Sequence, residues 1–414
     1  MVIDNILPPL ISMIKASKRS QGVSYAIREV VIPARELEKK GIKVLHLNIG
    51  DPNAYDFDTP DHIKKALCKS LNEGYNGYGQ SEGDPELRKA IIEREKKRNS
   101  VDYKLEDICI TTGVTEALQI LLNACLDPND ELLIPGPTYP QYTIITRFND
   151  ANPIPYRCME EEGWMPDVDN IRSRISNRTK GIVLINPNNP TGALYSKKTV
   201  QEIVDIAGEY QIPIISDEIY DDMVFDGKQC ATATLAKDVP VITFNGFSKV
   251  YLMPGWRMGY VLFHHAGELN EVQDAFMRIA RSRLCASSIC QRACLQALKG
   301  PQDHIPKVNS KLRERRDFSY KRLNEIDGIS TAKPEGAFYI FPKIEAMDTG
   351  IWKNDKEFVL DLLNEAHVLV VNGSGFCSVY GKNHFRAVIL PTMDTLKEAF
   401  DKIESFMKKR LKGK

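Results

Sequence analysis

The chain has no run of 18 apolar residues, so nothing in it reads as a membrane-spanning helix. It has no excess of either charge sign: Lys+Arg and Asp+Glu each total 55 in 414 residues. That balance leaves no overall field to recruit nucleic acid or a membrane surface. The nine cysteines (Cys68, Cys109, Cys125, Cys158, Cys230, Cys285, Cys290, Cys294 and Cys377) contain no Cys-x-x-Cys pair. An odd count without framework spacing, with thiols inside apolar runs such as Ile108-Cys109-Ile110, excludes a disulfide scaffold and points to a reducing, cytoplasmic compartment. Cys290 and Cys294 lie one helical turn apart, but no histidine pair nearby completes a zinc set. His264 and His265 are adjacent and face opposite sides of a strand, so no metal is expected. Asp4 and Pro8-Pro9 break the apolar N-terminal stretch, which argues against a secretory signal. The sequon Asn177-Arg178-Thr179 is then a chance match. There is no internal repeat and no low-complexity tract.

What is present is an ordinary globular composition, 43% apolar and 27% charged. At this length two domains are expected. The segment 299–306, polar and carrying Pro306, is a candidate boundary. The expected division is an N-terminal segment 1–60 joined to the smaller domain, a large domain 61–300, and a small α+β domain 301–414. The N-terminal segment shows amphipathic helical character around 27–31, with Pro33 as an interruption. From residue 107 onward, short apolar strands (108–111, 132–134, 181–185, 212–215, 241–244) alternate with amphipathic helices such as 116–126 and 199–210. A long helical stretch, 269–298, follows. Strand–helix alternation makes a largely parallel sheet covered on both faces, an α/β fold.

Ligands bind such sheets beyond the carboxyl ends of the strands. Each polar cluster falls at such an end, which brings Thr115, Tyr139, Asn189, Asp217, Tyr220, Lys249 and Arg257 toward one crevice. Lys249 sits just past a core strand between glycines, where a desolvated amine loses its proton near neutral pH and can attack a carbonyl. Arg257 offers a fixed fork for a phosphate, and Gly113-Val114-Thr115 opens a helix whose N–H groups suit an anion. Asp217 is either an N-cap or a carboxylate that keeps a pyridine nitrogen protonated. Tyr139, Asn189 and Tyr220 are equally compatible with packing or turn roles. Arg386 lies in the apolar run 385–390, where a lone charge is costly. It needs an anion, either a substrate carboxylate or a structural Asp or Glu.

A reactive lysine, a pyridinium partner, a phosphate cup and a carboxylate clamp together describe a pyridoxal-phosphate site. The motifs Gly77-Tyr78, 112–117, 137–140, 186–192, 217–220, Ser248-Lys249 with Arg257, 334–341 and Phe385-Arg386 occur in that order. In this the chain resembles the class I/II aminotransferases of fold type I over nearly its whole length. Tyr25-Ala26-Ile27-Arg28, 47–52 and 243–249 are similar to the alanine aminotransferases of bacteria and archaea. The resemblance implies a large domain with a mostly parallel seven-stranded sheet, a small α+β domain, and pyridoxal 5'-phosphate joined to Lys249 as a Schiff base. It implies that Asp217 pairs with the pyridinium, that Asn189 and Tyr220 bind the ring oxygen, and that Tyr139 stacks on the ring. Gly113, Val114, Thr115, Ser248 and Arg257 would hold the phosphate, with Tyr78 supplied by a second subunit of a homodimer. Gly50, Asn189 and Arg386 would bind the amino-acid carboxylate, with Tyr25 and Arg28 near a small side-chain pocket. The implied reaction is ping-pong amino transfer between alanine, or a similar small amino acid, and 2-oxoglutarate. Two departures stand out. Gly246 replaces a serine common three residues before the lysine, and Glu29-Val30 stands where the alanine enzymes tend to have Gly-Pro. The competing expectations are an aspartate, aromatic or broad-range aminotransferase, a β-lyase on the same scaffold, and a non-catalytic effector-binding regulator domain.

Overall fold

The computed structural model describes residues 15–21, 25–264 and 266–412. The expectations resting on Asp4, Pro8-Pro9 and His265 lie outside the described residues. Among the described residues no helix is long and apolar enough to cross a membrane, and no group of three or more His, Cys, Asp or Glu is placed to hold a metal ion.

The central sheet has eight strands: β1 (Ile108–Thr111), β2 (Glu131–Gly136), β3 (Asn152–Met159), β4 (Met165–Pro166), β5 (Thr179–Ile185), β6 (Ile214–Asp217), β7 (Val241–Gly246) and β8 (Gly259–His264). Their order is β1-β8-β7-β6-β5-β2-β3-β4. Strands β7, β6, β5, β2 and β3 pair in parallel. Strand β8 runs antiparallel to both its neighbours, and β4 is antiparallel to β3. The seven-stranded expectation is thus corrected to eight, the addition being β4, a two-residue edge too short to leave a periodic signal.

Strand β3 is hidden in the sequence by Pro153 and Pro155, which lack the N–H a ladder needs. Both prolines face the open edge of the sheet, because β4 reaches only Cys158 and Met159. The alternate residue Asn152 donates its N–H to Asp130 O at 2.7 Å on the β2 side. The side chains of the central strands alternate between two cores. Ile182, Leu184 and Ile214 enter one, and Val183, Ile185 and Ile215 enter the other. Period-two alternation with both faces buried is why these strands read as continuous apolar runs.

The expected helix 269–298 is two helices, Asn270–Ser282 and Ser288–Lys299. Leu284 takes a φ of 73°, which ends the first, and the Ser287 side chain accepts from Cys290 N to cap the second. Pro306 falls in the first turn of His304–Asn324, a place where its missing N–H costs nothing. The interruption expected from Pro33 is present: the helices Ala26–Glu29 and Val31–Lys39 are separated at Val30, and Pro33 lies in the first turn of the second. C-terminal elements form a three-stranded antiparallel sheet of Tyr339–Ile340, Phe385–Val388 and Val371–Asn372. Leu45–His46 pairs in parallel with Val368–Leu369, and Val388 N donates to Leu47 O at 2.9 Å. Those two contacts carry Asn48 and Gly50 to the rim of the large sheet, facing its strand ends.

Candidate active site

Because β2, β5, β6 and β7 run in parallel, their carboxyl ends open at one edge. A cavity of about 490 Å³ lies there, lined by Tyr25, Arg28, Gly50, Val114, Thr115, Tyr139, Asn189, Asp217, Tyr220, Ser248, Lys249, Arg257 and Arg386. These span the chain from the N-terminal helices to the last strand. Of the residues expected at the site, only Gly113 and Tyr78 do not line the cavity. Gly113 lies behind Arg257: a Cβ on it would come within 2.7 Å of Arg257 Nη2, and its φ is +77°. The positive φ is what requires glycine there. Tyr78 is 85% exposed on a separate surface depression with Tyr75, Ser288 and Arg292.

Lys249 is half-buried just past β7, and its Nζ donates to Gly50 O at 2.8 Å. Burial pulls the amine down to about 8, with Asp51 opposing and Arg386 and Arg257 reinforcing the shift. Asp217 ends β6 with its Oδ2 accepting from Tyr142 OH at 2.9 Å and its Oδ1 from Ile219 N at 3.3 Å. Burial raises its carboxyl to about 6, against the pull of Tyr142, Ile219 and Lys249. Tyr220 OH lies 2.9 Å from Tyr339 OH, and Tyr25 OH lies 3.4 Å from Tyr139 OH.

Arg386 is 1% exposed and forms no ion pair among the described residues. Its Nη1 donates to Asn189 Oδ1 at 3.1 Å and its Nη2 to Asn48 O at 2.5 Å, while its buried Nε has no partner. Aromatic rings flank it, Tyr339 at 4.6 Å and Phe376 at 4.8 Å. Of the two expected fates for this cation, a structural Asp or Glu is not what the fold provides. Arg257, at a φ of 57° after the turn Pro254–Trp256, donates to Pro254 O at 3.0 Å and is likewise without a carboxylate among the described residues. Beside it the helix Val114–Cys125 starts without a side-chain cap, so its first N–H groups remain available to an anion.

Three residues escaped sequence reasoning. Tyr142 holds Asp217 from one helical turn beyond Tyr139, and no motif in the sequence singles it out. Tyr339 lies inside the motif 334–341 and joins Tyr220 to Arg386. Asp51 lines the cavity and opposes the loss of the Lys249 proton; its place in a Gly-Asp-Pro turn gave it an ordinary turn role.

Residues 42–403 match the sequence profile of the family Aminotransferase class I and II. The chain is 39% identical over 405 residues to the glutamate-pyruvate aminotransferase AlaA of Escherichia coli strain K12, covering 96% of this chain and 98% of that one. It is 36% identical over 400 residues to an alanine aminotransferase of Mycobacterium bovis, covering 94% and 92%. Among solved structures, an alanine aminotransferase from Pyrococcus furiosus superposes with a TM-score of 0.93 at 59% identity, over 95% of this chain and 100% of the other. The profile spans the strand ends, the lysine and the buried arginine alike, and with it this chain belongs to the class I and II aminotransferases.

Proposed function

We propose that the cavity transfers the amino group of alanine, or a comparably small amino acid, to 2-oxoglutarate with pyridoxal 5'-phosphate, the coenzyme of class I and II aminotransferases. The observation that carries this reading is Arg386. A fully buried guanidinium with no carboxylate partner among the described residues and a free Nε shares one cavity with an amine of lowered pKa and a buried carboxylate. A lone buried cation is costly unless an anion joins it. An amino-acid carboxylate meets that need, and a bidentate fork fixes its orientation.

The donor set also fits the coenzyme. Arg257, Ser248 and the N–H groups of Val114 and Thr115 would hold its phosphate, Tyr139 would stack on its ring, and Asn189 and Tyr220 would bind its ring oxygen. When bound, pyridoxal 5'-phosphate supplies an aldehyde that takes the amino group and a ring that accepts the electron pair left on the substrate Cα. Asp217, ionised above about pH 6, holds a proton on the ring nitrogen. Lys249, with its amine held near 8, would take a proton from the substrate Cα and deliver it to the coenzyme's aldehyde-derived carbon, matching base strength to neutral pH. Gly50 and Asn189 assist Arg386 in orienting the substrate carboxylate.

Arg28 lies on the same cavity wall beside Tyr25, and this favours a second reading with an acidic side chain in that pocket. The test is donor profiling with 2-oxoglutarate across alanine, aspartate, valine and tyrosine, with glutamate assayed against pyruvate because its own 2-oxo acid is 2-oxoglutarate. Alanine should exceed aspartate and tyrosine by about tenfold in kcat/KM. Equal transfer from aspartate supports the second reading. Pyruvate release from cystathionine without a 2-oxo acid makes the protein a lyase. The reading includes a cytoplasmic homodimer in which the exposed Tyr78 serves the partner's cavity; a monomeric mass by sedimentation velocity rejects the shared site.

A further inference from the structure

Immediately after Tyr220 comes Asp221, whose side chain is 1% exposed and which the catalytic reading above leaves without a task. Two segments meet on one of its oxygens. Arg94 Nη2, from the helix Pro85–Asn99, reaches Asp221 Oδ2 at 2.6 Å. Asn245 Nδ2, from the end of β7, donates to the same Oδ2 at 2.9 Å. Asn245 in turn accepts from Gly246 N at 2.7 Å, three residues before Lys249. On the other side, Asp221 N donates to Glu218 O at 3.0 Å and Met223 N to Tyr220 O at 2.8 Å, so Tyr220 and Asp221 sit in one tight turn. The guanidinium is itself braced by Glu95 at 2.7 Å and Asp222 at 3.2 Å, and Arg98 Nη2 donates to the Asp221 carbonyl at 2.8 Å.

A buried ion pair of this kind is a poor way to gain stability, since apolar side chains of equal volume do as well. What it supplies is a fixed register between two backbone segments. We infer that Asp221 is a positioning residue for amino transfer: its Oδ2, shared by Arg94 and Asn245, ties the turn carrying Tyr220 to the strand end carrying Lys249. The inference rests on the proposed function, which assigns those two side chains to the coenzyme.

The variants Asp221→Asn and Asn245→Ala test it. The second removes hydrogen bonds and no charge, and decides the matter if the first does not fold. Arg322→Ala serves as the control, because it breaks bonds to Asp401 and Glu404 on the helix Met393–Lys412 and touches no cavity residue. In cofactor-free protein, hydrogen exchange at the amides of residues 246–249 should rise about tenfold or more in both variants and stay unchanged in the control. In loaded protein, kcat should fall about 10- to 100-fold, the scale of a misplacement near 1 Å. KM for the amino acid should move less than about threefold, because Arg386 lies on another strand. Unchanged exchange, or a kcat within about twofold of the unaltered protein, overturns the inference and leaves Asp221 a folding residue. An unaltered protein that transfers no amino group overturns the underlying reading instead, and that outcome is seen before any variant is made.

Discussion

Replacing Lys249 with methionine will stabilise the cofactor-free protein while abolishing turnover. Folding moves this amine from water, where it titrates at 10.5, to a half-buried site where it titrates at about 8. A difference of about 2.5 in pKa is worth roughly 3 kcal/mol, since each pKa unit is about 1.36 kcal/mol. The sign follows from proton counting. Below pH 8 both states bind the proton, and the folded state bears the full cost of a desolvated ammonium. Between about 8 and 10.5 the unfolded chain keeps a proton that the folded chain has released, so native stability rises with pH. Methionine has a similar length and no charge to desolvate. The urea midpoint of Lys249→Met should therefore exceed that of the unaltered protein at pH 7 by an amount worth at most about 3 kcal/mol. That advantage should shrink as pH climbs from 8 toward 10.5. Part of it is offset by losing the 2.8 Å bond to Gly50 O, worth about 1 kcal/mol. A variant that is no more stable than its parent at pH 7, or whose advantage is the same at pH 7 and pH 10, refutes the claim that the amine is held desolvated. Such a trade of stability against activity is what a site built around a strained charge should show.

Arg386→Lys keeps the charge and loses the fork, so KM for the amino acid should rise about 10- to 100-fold with the coenzyme absorbance unchanged; unchanged KM removes Arg386 from substrate binding. Asp217 must be ionised to hold a ring-nitrogen proton, so coenzyme affinity should weaken as pH falls through about 6. Tyr142→Phe deletes a bond that holds this carboxyl down, and the weakening should then begin at higher pH. Fluorescence titration between pH 5 and 8 reads the shift, and superimposable curves refute it. Gly113→Ala puts a side chain at a φ of +77°; thermal unfolding should report a loss of about 1–3 kcal/mol, and an unaltered midpoint counts against backbone strain at that position.

Much of this protein is local in origin and so legible along the chain. The apolar runs of β1, β5, β6 and β7 identify themselves because both faces of the sheet are buried. Parallel strands then force their following loops to one edge, and this alone foretold that Asp217, Lys249 and Asn189 would meet. Strand β3 escaped because its two prolines are tolerated only at an open edge, and openness is a property of the assembled sheet. The break at Leu284 escaped because apolar periodicity runs through both flanking helices.

The site's finer wiring is decided only in three dimensions. Tyr142 meets Asp217 across 75 residues, Tyr339 meets Tyr220 across 119, and Asn245 meets Asp221 across 24. Hydrogen bonds depend on distances of a few tenths of an ångström, and no spacing in a sequence encodes those. The sequence by itself determined that Arg386 is a charge in an apolar run and therefore needs a partner. Only the tertiary structure decided that no carboxylate of the fold stands beside it among the described residues. That choice leaves the position open to an anion, because a buried guanidinium without a counter-ion is costly.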